Sequence, residues 1–334
     1  MVFQGNVESK FVSNHIEFKM SVNNQQLSNY KTPWFTWFLT LSSIIIFILI
    51  NVKSDFKEIS IETYEKFGAP AAIDIYQGQI WGVFTNSFIH SHWIQLSLNL
   101  IGLWVFGAFI ERRIGFIHYM LFGLFTSIIT SEWQLALSTD PGIGLSGVVY
   151  AFLGYIFIRS FEEPEFKLKY RKYIYPITFI ILIICYAINI IHHGIIATEA
   201  MVSGFITGTI VAYVIRHLSS VKYYIIFTLL MGVCSITIFY APWSSEWYLA
   251  RGLHYHDVKK YDLAKENYQK AIELLPENVL AKENLKIMEV DNLSDRAYHF
   301  HALKKYNTAR KIYKKILKID PTNEWAKEGL AELP

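Results

Sequence analysis

The chain has 334 residues, of which 52% are hydrophobic and only 18% are charged, a balance that is unusual for a soluble protein of this length. The net charge of +3 is too small to predict nucleic-acid binding. Both cysteines, Cys185 and Cys234, lie inside apolar runs, which predicts small core residues and implies no disulfide framework. Charges are sparse over residues 33–245 and dense beyond them, so the composition divides the chain into a membrane part and a soluble part.

The polar N-terminal tail, residues 1–32, lacks the basic start, short apolar run and cleavage site of a signal peptide. A membrane helix needs about 20 apolar residues, and fewer where neighbouring helices shield it. Seven segments meet this criterion: Pro33–Val52, Trp93–Ile110, Phe116–Leu137, Gly147–Ile158, Ile174–Ile191, Ala200–Ile215 and Tyr223–Tyr240. We therefore predict a membrane core over residues 33–217, and a seventh transmembrane helix with a linker over residues 218–245.

Lysine and arginine in the short loops predict the orientation of these spans, since cytoplasmic loops carry the excess of positive charge. Basic residues follow the second, fourth and sixth spans: Arg112, Arg113, Arg159, Lys167, Lys169, Arg171, Lys172, Arg216 and Lys222. The loops after the third and fifth spans contain neither lysine nor arginine. With seven spans, this pattern places the N-terminus in the cytoplasm and the C-terminal part outside it. The loop from Lys53 to His92 then lies outside and is long enough to carry structure of its own.

Residues 246–334 have the periodicity of soluble amphipathic helices. A first group of positions matches the tetratricopeptide pattern of large, small and closing-proline residues: Tyr248, Gly252, Tyr255, Ala264, Tyr268, Ala271 and Pro276. A looser second copy comprises Ala297, Phe300, Ala309, Tyr313, Ile316 and Pro321. We expect Glu277–Val290 to form a helix between the copies and Thr322–Leu333 to form a capping helix. Such a domain binds a peptide or protein partner in a concave groove, or else it is a stabilising appendage.

The sequence Gly144-Leu145-Ser146-Gly147 lies where a short uncharged loop enters the fourth span. Small residues are common in closely packed membrane helices, and a serine here can also serve as the helix N-cap. The longer run from Gly144 to Gly154, however, closely resembles the nucleophile segment of rhomboid intramembrane serine proteases.

Other positions extend this resemblance over roughly residues 33–217: Phe88-Ile89-His90, Asn99, Glu111-Arg112-Arg113, Gly204 and Gly208. It implies an all-α, polytopic membrane fold with a six-helix rhomboid-type core, here followed by a seventh helix and the tetratricopeptide-like domain. Gly147, Gly204 and Gly208 would let the fourth and sixth spans pack closely.

The resemblance also implies roles for individual residues. Ser146 would be the nucleophile, at a helix N-terminus just below the outer membrane surface. The Ser146 backbone N–H and the side-chain amides of Asn99 and Gln95 would stabilise an oxyanion, and Tyr150 would form a wall of the site. The long outer loop would lie sideways in the membrane, and the fifth span would gate the entry of a substrate helix.

Three positions depart from the family pattern. Where the family has its histidine base, three residues before Gly204, this chain has Met201, whose thioether cannot take a proton near neutral pH. Gln95 stands in place of a second histidine, and Trp81-Gly82 replaces a Trp-Arg pair. Without a base, the hydroxyl of Ser146 is a poor nucleophile.

Four other histidines lie near the predicted outer surface, namely His90, His92, His192 and His193. We interpret them as amphipathic, partly wet interfacial residues, and a substitute base among them is the alternative. Adjacent histidines without a carboxylate or cysteine cluster do not predict a metal site, so we expect neither a metal nor a cofactor.

Three hypotheses follow. The first is a rhomboid homologue in a bacterial cytoplasmic membrane that recognises transmembrane segments of client proteins, with protease activity lost or impaired through Met201. The second is an active intramembrane serine endopeptidase that uses Ser146 and an unrecognised base. The third is a non-enzymatic scaffold that acts through the outer repeat domain. The expected partners are membrane-embedded protein segments, a peptide or protein on the repeats, and the lipid bilayer.

Overall fold

The computed structural model describes residues 32–55, 59–138, 141–169, 171–192, 196–216, 225, 228–229, 232 and 235–334. Over these residues the chain is helical and contains no β-strand. The membrane part comprises α1 (Trp34–Lys53), α2 (Ile61–Lys66), α3 (Ala72–Tyr76), α4 (Gly82–Thr85), α5 (Trp93–Gly102), α6 (Ala108–Ile114), α7 (Phe116–Leu137), α8 (Ser146–Glu162), α9 (Arg171–His192) and α10 (Thr198–Arg216). The C-terminal part comprises α11 (Ser245–Asp257), α12 (Tyr261–Leu274), α13 (Val279–Ala302), α14 (Tyr306–Ile319) and α15 (Glu324–Ala331).

Five described helices are long and apolar enough to cross a membrane: Trp34–Lys53, Trp93–Ile114, Phe116–Leu137, Arg171–Ile191 and Thr198–Ile215. They coincide with the first, second, third, fifth and sixth predicted spans. The second continues from α5 into α6 through a wider turn over Leu103–Gly107. The fourth prediction corresponds to α8, which has only 17 residues because it lies inside the bundle, shielded by its neighbours. Of the seventh, Tyr223–Tyr240, the structure describes residues 225, 228–229, 232 and 235–240.

Helix α8 is central because every residue from Gly147 to Ile156 is buried, and the side chains of Phe152 and Tyr155 are fully buried. It runs parallel to α10, since Gly204 faces the backbone of Gly147 and Gly208 faces the backbone of Ala151. A Cβ at either glycine of α10 would overlap a carbonyl oxygen of α8. The two glycines therefore permit a backbone-to-backbone approach that side chains would prevent.

The loop between α1 and α5 carries the structure that its length predicts. It contains α2, α3, α4 and a 3₁₀ turn over Asn86–Phe88, and the Ser60 hydroxyl caps α2 by accepting the Thr63 N–H. The loop packs against the end of the bundle where α8 begins. The Gly144 N–H donates to the Asn86 carbonyl oxygen at 3.0 Å. The loop is thereby joined directly to the segment that leads into Ser146.

The C-terminal helices form two tetratricopeptide-like pairs and a cap. Within the first pair, the ring of Tyr268 is fully buried against Gly252, a large and a small position of the predicted repeat pattern. The predicted separate helix over Glu277–Val290 is wrong in one respect: α13 runs unbroken from Val279 to Ala302 and includes the first helix of the second copy. No proline or glycine interrupts that stretch, so nothing in the sequence ends the helix.

The repeat domain sits at the Ser146 end of the membrane bundle. The indole N–H of Trp243 donates to the carbonyl oxygen of Ala136, in the last turn of α7, at 2.7 Å. Ile73 of α3 packs into the apolar cluster of the first repeat, which includes Leu249 and Tyr268. These contacts place the repeats on the same face of the bundle as the start of α8.

At the opposite end of the bundle, Glu111 caps α1. Its carboxylate, 3% exposed, accepts the Phe35 N–H at 2.8 Å, the Thr36 N–H at 2.9 Å and the Thr36 hydroxyl at 2.8 Å. The first N–H groups of a helix have no partner within the helix, and the positive end of its dipole favours an anion. Glu111 therefore fixes the second span to the start of the first.

We expect Glu111→Ala to lower the free energy of unfolding by about 3 kcal/mol, because buried helix N–H groups then lose their charged acceptor. Glu165→Ala, at an exposed carboxylate, is the control and should change stability by less than about 0.5 kcal/mol. Denaturant-induced unfolding in detergent micelles measures both variants, and equal losses would contradict the capping role.

Candidate functional site at the start of helix α8

Ser146 is the first residue of α8, and Leu145, not Ser146, occupies the N-cap position. Gly144, two residues before Ser146, has φ +102°, a left-handed conformation that favours glycine. Ser146 is partly exposed, whereas the next five residues of α8 are buried. The helix start thus presents the serine at the edge of a buried, closely packed helix.

Gln95 and Asn99 lie one turn apart on α5 and converge on the turn before Ser146. A Cβ at Gly144 would lie 2.8 Å from Gln95 Nε2 and 3.1 Å from Asn99 Nδ2. Gln95 Nε2 donates to the Ile143 carbonyl oxygen at 2.8 Å, and its Oε1 accepts the Ser91 N–H at 3.0 Å. The amide of Gln95 therefore holds the loop in place.

Asn99 differs from Gln95 because its amide nitrogen is buried and has no hydrogen-bond partner among the described residues. The side chain is 6% exposed. Buried polar groups are normally paired, and an unpaired donor beside the nucleophile position is the arrangement that stabilises a developing oxyanion. Among the described residues, the Asn99 amide is therefore the unpaired donor beside this turn, whereas the Gln95 amide is bonded to Ile143.

Met201 is buried on α10, with 4% of its surface exposed. It precedes Gly204 by three residues, so the two share a helix face. That face meets α8, because Gly204 packs on the backbone of Gly147, directly after Ser146. Since the helices run parallel, Met201 lies one turn beyond this contact, toward the end where Ser146 begins α8. A thioether, with no basic nitrogen, occupies this position.

Two further side chains fix the helices around the site. The Tyr150 hydroxyl donates to the Thr178 carbonyl oxygen at 2.7 Å, which ties α8 to α9. Gln134 Oε1 accepts the Ala200 N–H at 2.9 Å, which ties α7 to the first turn of α10 beside Met201. Gln134 is not among the site residues predicted from the sequence, although a glutamine within an apolar span is the signal that would have found it.

His90 is fully buried, which corrects the expectation of a partly wet interfacial side chain. Its Nδ1 lies 3.2 Å from the Phe88 carbonyl oxygen, and burial lowers the pKa of the imidazole to about 4, so the ring is neutral at pH 7. His92, by contrast, is exposed. The side chain of His192 and the whole of His193 lie outside the described residues.

Asn86, four residues before His90, is fully buried. The sequence patterns do not predict it as a site residue. Both polar atoms of its side chain, and Nε2 of His90, have no partner among the described residues. Because the Asn86 carbonyl oxygen accepts from Gly144, this polar interior lies directly beneath the turn before Ser146. Across the described part of the chain, no cluster of three or more histidine, cysteine, aspartate or glutamate residues is arranged to hold a metal ion.

Comparison with known families matches residues 77–218 to the rhomboid domain and residues 246–278 and 295–323 to the tetratricopeptide repeat. The chain carries a rhomboid domain followed by tetratricopeptide repeats. The rhomboid domain contains every position discussed for the Ser146 site, and the two matched repeats fall on α11–α12 and on the second half of α13 with α14. The chain is thus an all-α, polytopic membrane protein.

Curated relatives include the Rhomboid protease GlpG of Enterobacter sp. (strain 638), 27% identical over 179 residues that cover 54% of this chain and 62% of that protein. The Rhomboid protease GlpG of Salmonella paratyphi A and that of Salmonella typhi are each 25% identical over 130 residues, covering 39% of this chain and 45% of theirs. The chain therefore spans about half the length of the curated relatives that it matches.

Proposed function

We propose that this rhomboid-domain protein recognises transmembrane segments of client proteins and that its serine protease activity is lost or strongly impaired. One observation supports the proposal: Met201 is buried on α10, three residues before the Gly204 that packs on the backbone of Gly147. A serine hydroxyl needs an adjacent base to attack a peptide carbonyl, and a thioether cannot accept the proton. In subtilisin, loss of the histidine alone lowers kcat about a million-fold.

The recognition half of the proposal is supported by the polar groups that remain around Ser146. Asn99 keeps an unpaired amide donor, and Asn86 and His90 supply further buried polar atoms beneath the adjoining turn. A polar recess inside an apolar bundle favours membrane segments that contain polar or helix-breaking residues, since these offer hydrogen-bonding partners that lipid chains lack.

We further propose that the protein resides in a bacterial cytoplasmic membrane with its N-terminus inside and its repeats outside. The distribution of lysine and arginine in the loops supports this orientation. The contacts between α11 and the Ser146 end of the bundle support placing the repeats and the site on one side. A protein partner on the repeats would then be held close to the membrane site.

A fluorophosphonate probe tests the loss of activity, because it reacts only with activated serines. The purified wild-type protein should remain unlabelled under conditions that label a rhomboid protease with an intact Ser–His pair, and should not cleave a helix-destabilised transmembrane substrate. Ser146→Ala is the control for background labelling. Wild-type labelling that disappears in Ser146→Ala would favour an active endopeptidase with an unrecognised base.

Recognition is tested separately, by photo-crosslinking the wild-type protein to a single-span client that contains a polar or helix-breaking residue. We expect Ser146→Ala to leave the crosslinking yield unchanged, because the hydroxyl performs no chemistry in this proposal. An all-leucine span of the same length is the matched control, and an equal yield with it would contradict selective recognition.

A further inference from the structure

A second cavity lies apart from the Ser146 site, between the outer loop and the first repeat helix. Its volume is about 520 Å³. Its lining comes from both parts of the chain: Tyr76 and Gln77 from α3 and its C-terminal end, and Trp247, Ala250, Arg251, His254, Tyr255 and Asp257 from α11. We refer to it as the junction cavity. Neither the membrane core nor the repeat domain forms it alone.

The junction cavity lies at the height of the membrane surface. The Tyr76 hydroxyl donates to the Leu135 carbonyl oxygen, in the last turn of the membrane helix α7, at 3.3 Å. The Trp247 indole N–H donates to the Phe239 carbonyl oxygen, at the end of the seventh apolar segment, at 3.2 Å. Three exposed aromatic side chains flank this point: Phe239, Tyr240 and Trp243. Such belts mark the layer of lipid headgroups.

Arg251 lines the cavity and is held in place, but it forms no ion pair with another described residue. Its Cζ lies 4.6 Å from the Trp247 ring centre and 5.5 Å from that of Tyr255. Its Nη2 donates to the Tyr255 hydroxyl at 3.1 Å, and its Nε lies 3.4 Å from Asn267 Oδ1. Among the described residues, no carboxylate lies within 4.0 Å of this guanidinium, so its remaining N–H groups are available to an anion.

We propose that the junction cavity binds the phosphate group of an anionic membrane phospholipid. A planar guanidinium fixed between aromatic rings matches the geometry of a phosphate, and the height of the cavity places lipid phosphates within its reach. The one acidic side chain in the lining, Asp257, is exposed and lies two helical turns from Arg251. The Asp257 carboxylate can accept a hydrogen bond from a headgroup hydroxyl but would repel a second anionic group. The lining therefore favours a lipid with a glycerol headgroup.

This inference goes beyond the proposed recognition of client segments and does not depend on it. A lipid bound here contacts both α3 and α11, so it would stabilise the contact between the repeat domain and the outer loop. A ligand that binds only the native arrangement stabilises it by an amount that increases with the logarithm of the ligand concentration relative to Kd.

The test uses native mass spectrometry of the full-length protein in detergent, titrated with phosphatidylglycerol. We expect Arg251→Gln to weaken the tightest lipid-binding event about tenfold, and Arg251→Lys to weaken it less because the charge remains. Arg296→Gln, at an exposed arginine of α13 outside the cavity, is the matched control and should leave binding unchanged. Thermal melting confirms that each variant is folded.

Binding that is equal in Arg251→Gln and wild type would overturn the proposal, as would equal losses in Arg251→Gln and Arg296→Gln. Two competitors distinguish other sources of the anion. Displacement of the lipid by inorganic phosphate would assign the cavity to a free phosphate, and displacement by a short peptide with a free C-terminal carboxylate would assign it to a protein partner. Either displacement contradicts a lipid site, whereas resistance to both supports it.

Discussion

Replacing Met201 with histidine is expected to make Ser146 reactive. The side chain at this position is buried beside the start of α8, and an imidazole there supplies the base that the thioether cannot. Asn99 already offers an unpaired amide donor for the oxyanion. We expect fluorophosphonate labelling to rise from background in the wild type to a signal comparable with that of an intact Ser–His pair.

Two variants make this result specific. Val202→His places an imidazole on the adjacent residue, whose side chain is 44% exposed whereas that of Met201 is buried, and it should not be labelled. The double variant Met201→His/Ser146→Ala should lose the labelling completely. If Met201→His stays unlabelled while folded, the departures at Gln95 and Gly82 must also disable the site, and Met201 alone does not explain the loss.

The second large effect concerns the contact between α8 and α10. Gly208→Ala should lower the free energy of unfolding by about 2–3 kcal/mol, because the added Cβ overlaps the carbonyl oxygen of Ala151 and forces the helices apart. The substitution replaces none of the polar side chains of the site. A loss of stability can therefore be assigned to helix packing and not to the chemistry of the site. The midpoint of unfolding in mixed detergent micelles measures the effect.

Gly232→Ala is the matched control for this substitution. Gly232 is a helical glycine of the seventh apolar segment, and a Cβ there would meet no atom of the described residues within 4 Å. Alanine also has the higher helix propensity, so stability should stay within about 0.5 kcal/mol of the wild type. Equal destabilisation by the two alanines would show that close approach of α8 and α10 is not what Gly208 provides.

Much of the fold could be predicted because its signals are local. Five apolar stretches match helices of spanning length, and the tetratricopeptide pattern marks Gly252 and Tyr268, which pack against each other in the first repeat. The glycines of α10 likewise predicted a close helix contact, since small residues at that spacing are used for it. These features depend on residues that are near one another in the sequence.

The parts that could not be predicted depend on contacts between distant segments. Gln95 and Asn99 are both amides, one turn apart on α5, so their spacing in the sequence does not distinguish them. Only the structure shows that Gln95 bonds to Ile143 and that the Asn99 amide nitrogen has no partner among the described residues. His90 looked interfacial because it lies near a span boundary, but the loop above it buries it completely. The unbroken α13 was missed because the repeat pattern marks where a copy begins and not where a helix starts.

The attachment of α11 to the outer loop has a consequence for how the two parts cooperate. Because Ile73 enters the apolar cluster of the first repeat and Trp243 bonds to the end of α7, the repeat domain is seated on the bundle and is not tethered by a free linker. A partner held by the repeats would therefore be confined near the Ser146 end of the bundle. Such confinement would raise the local concentration of that partner to roughly the millimolar range, so that even a weak contact within the membrane would be occupied.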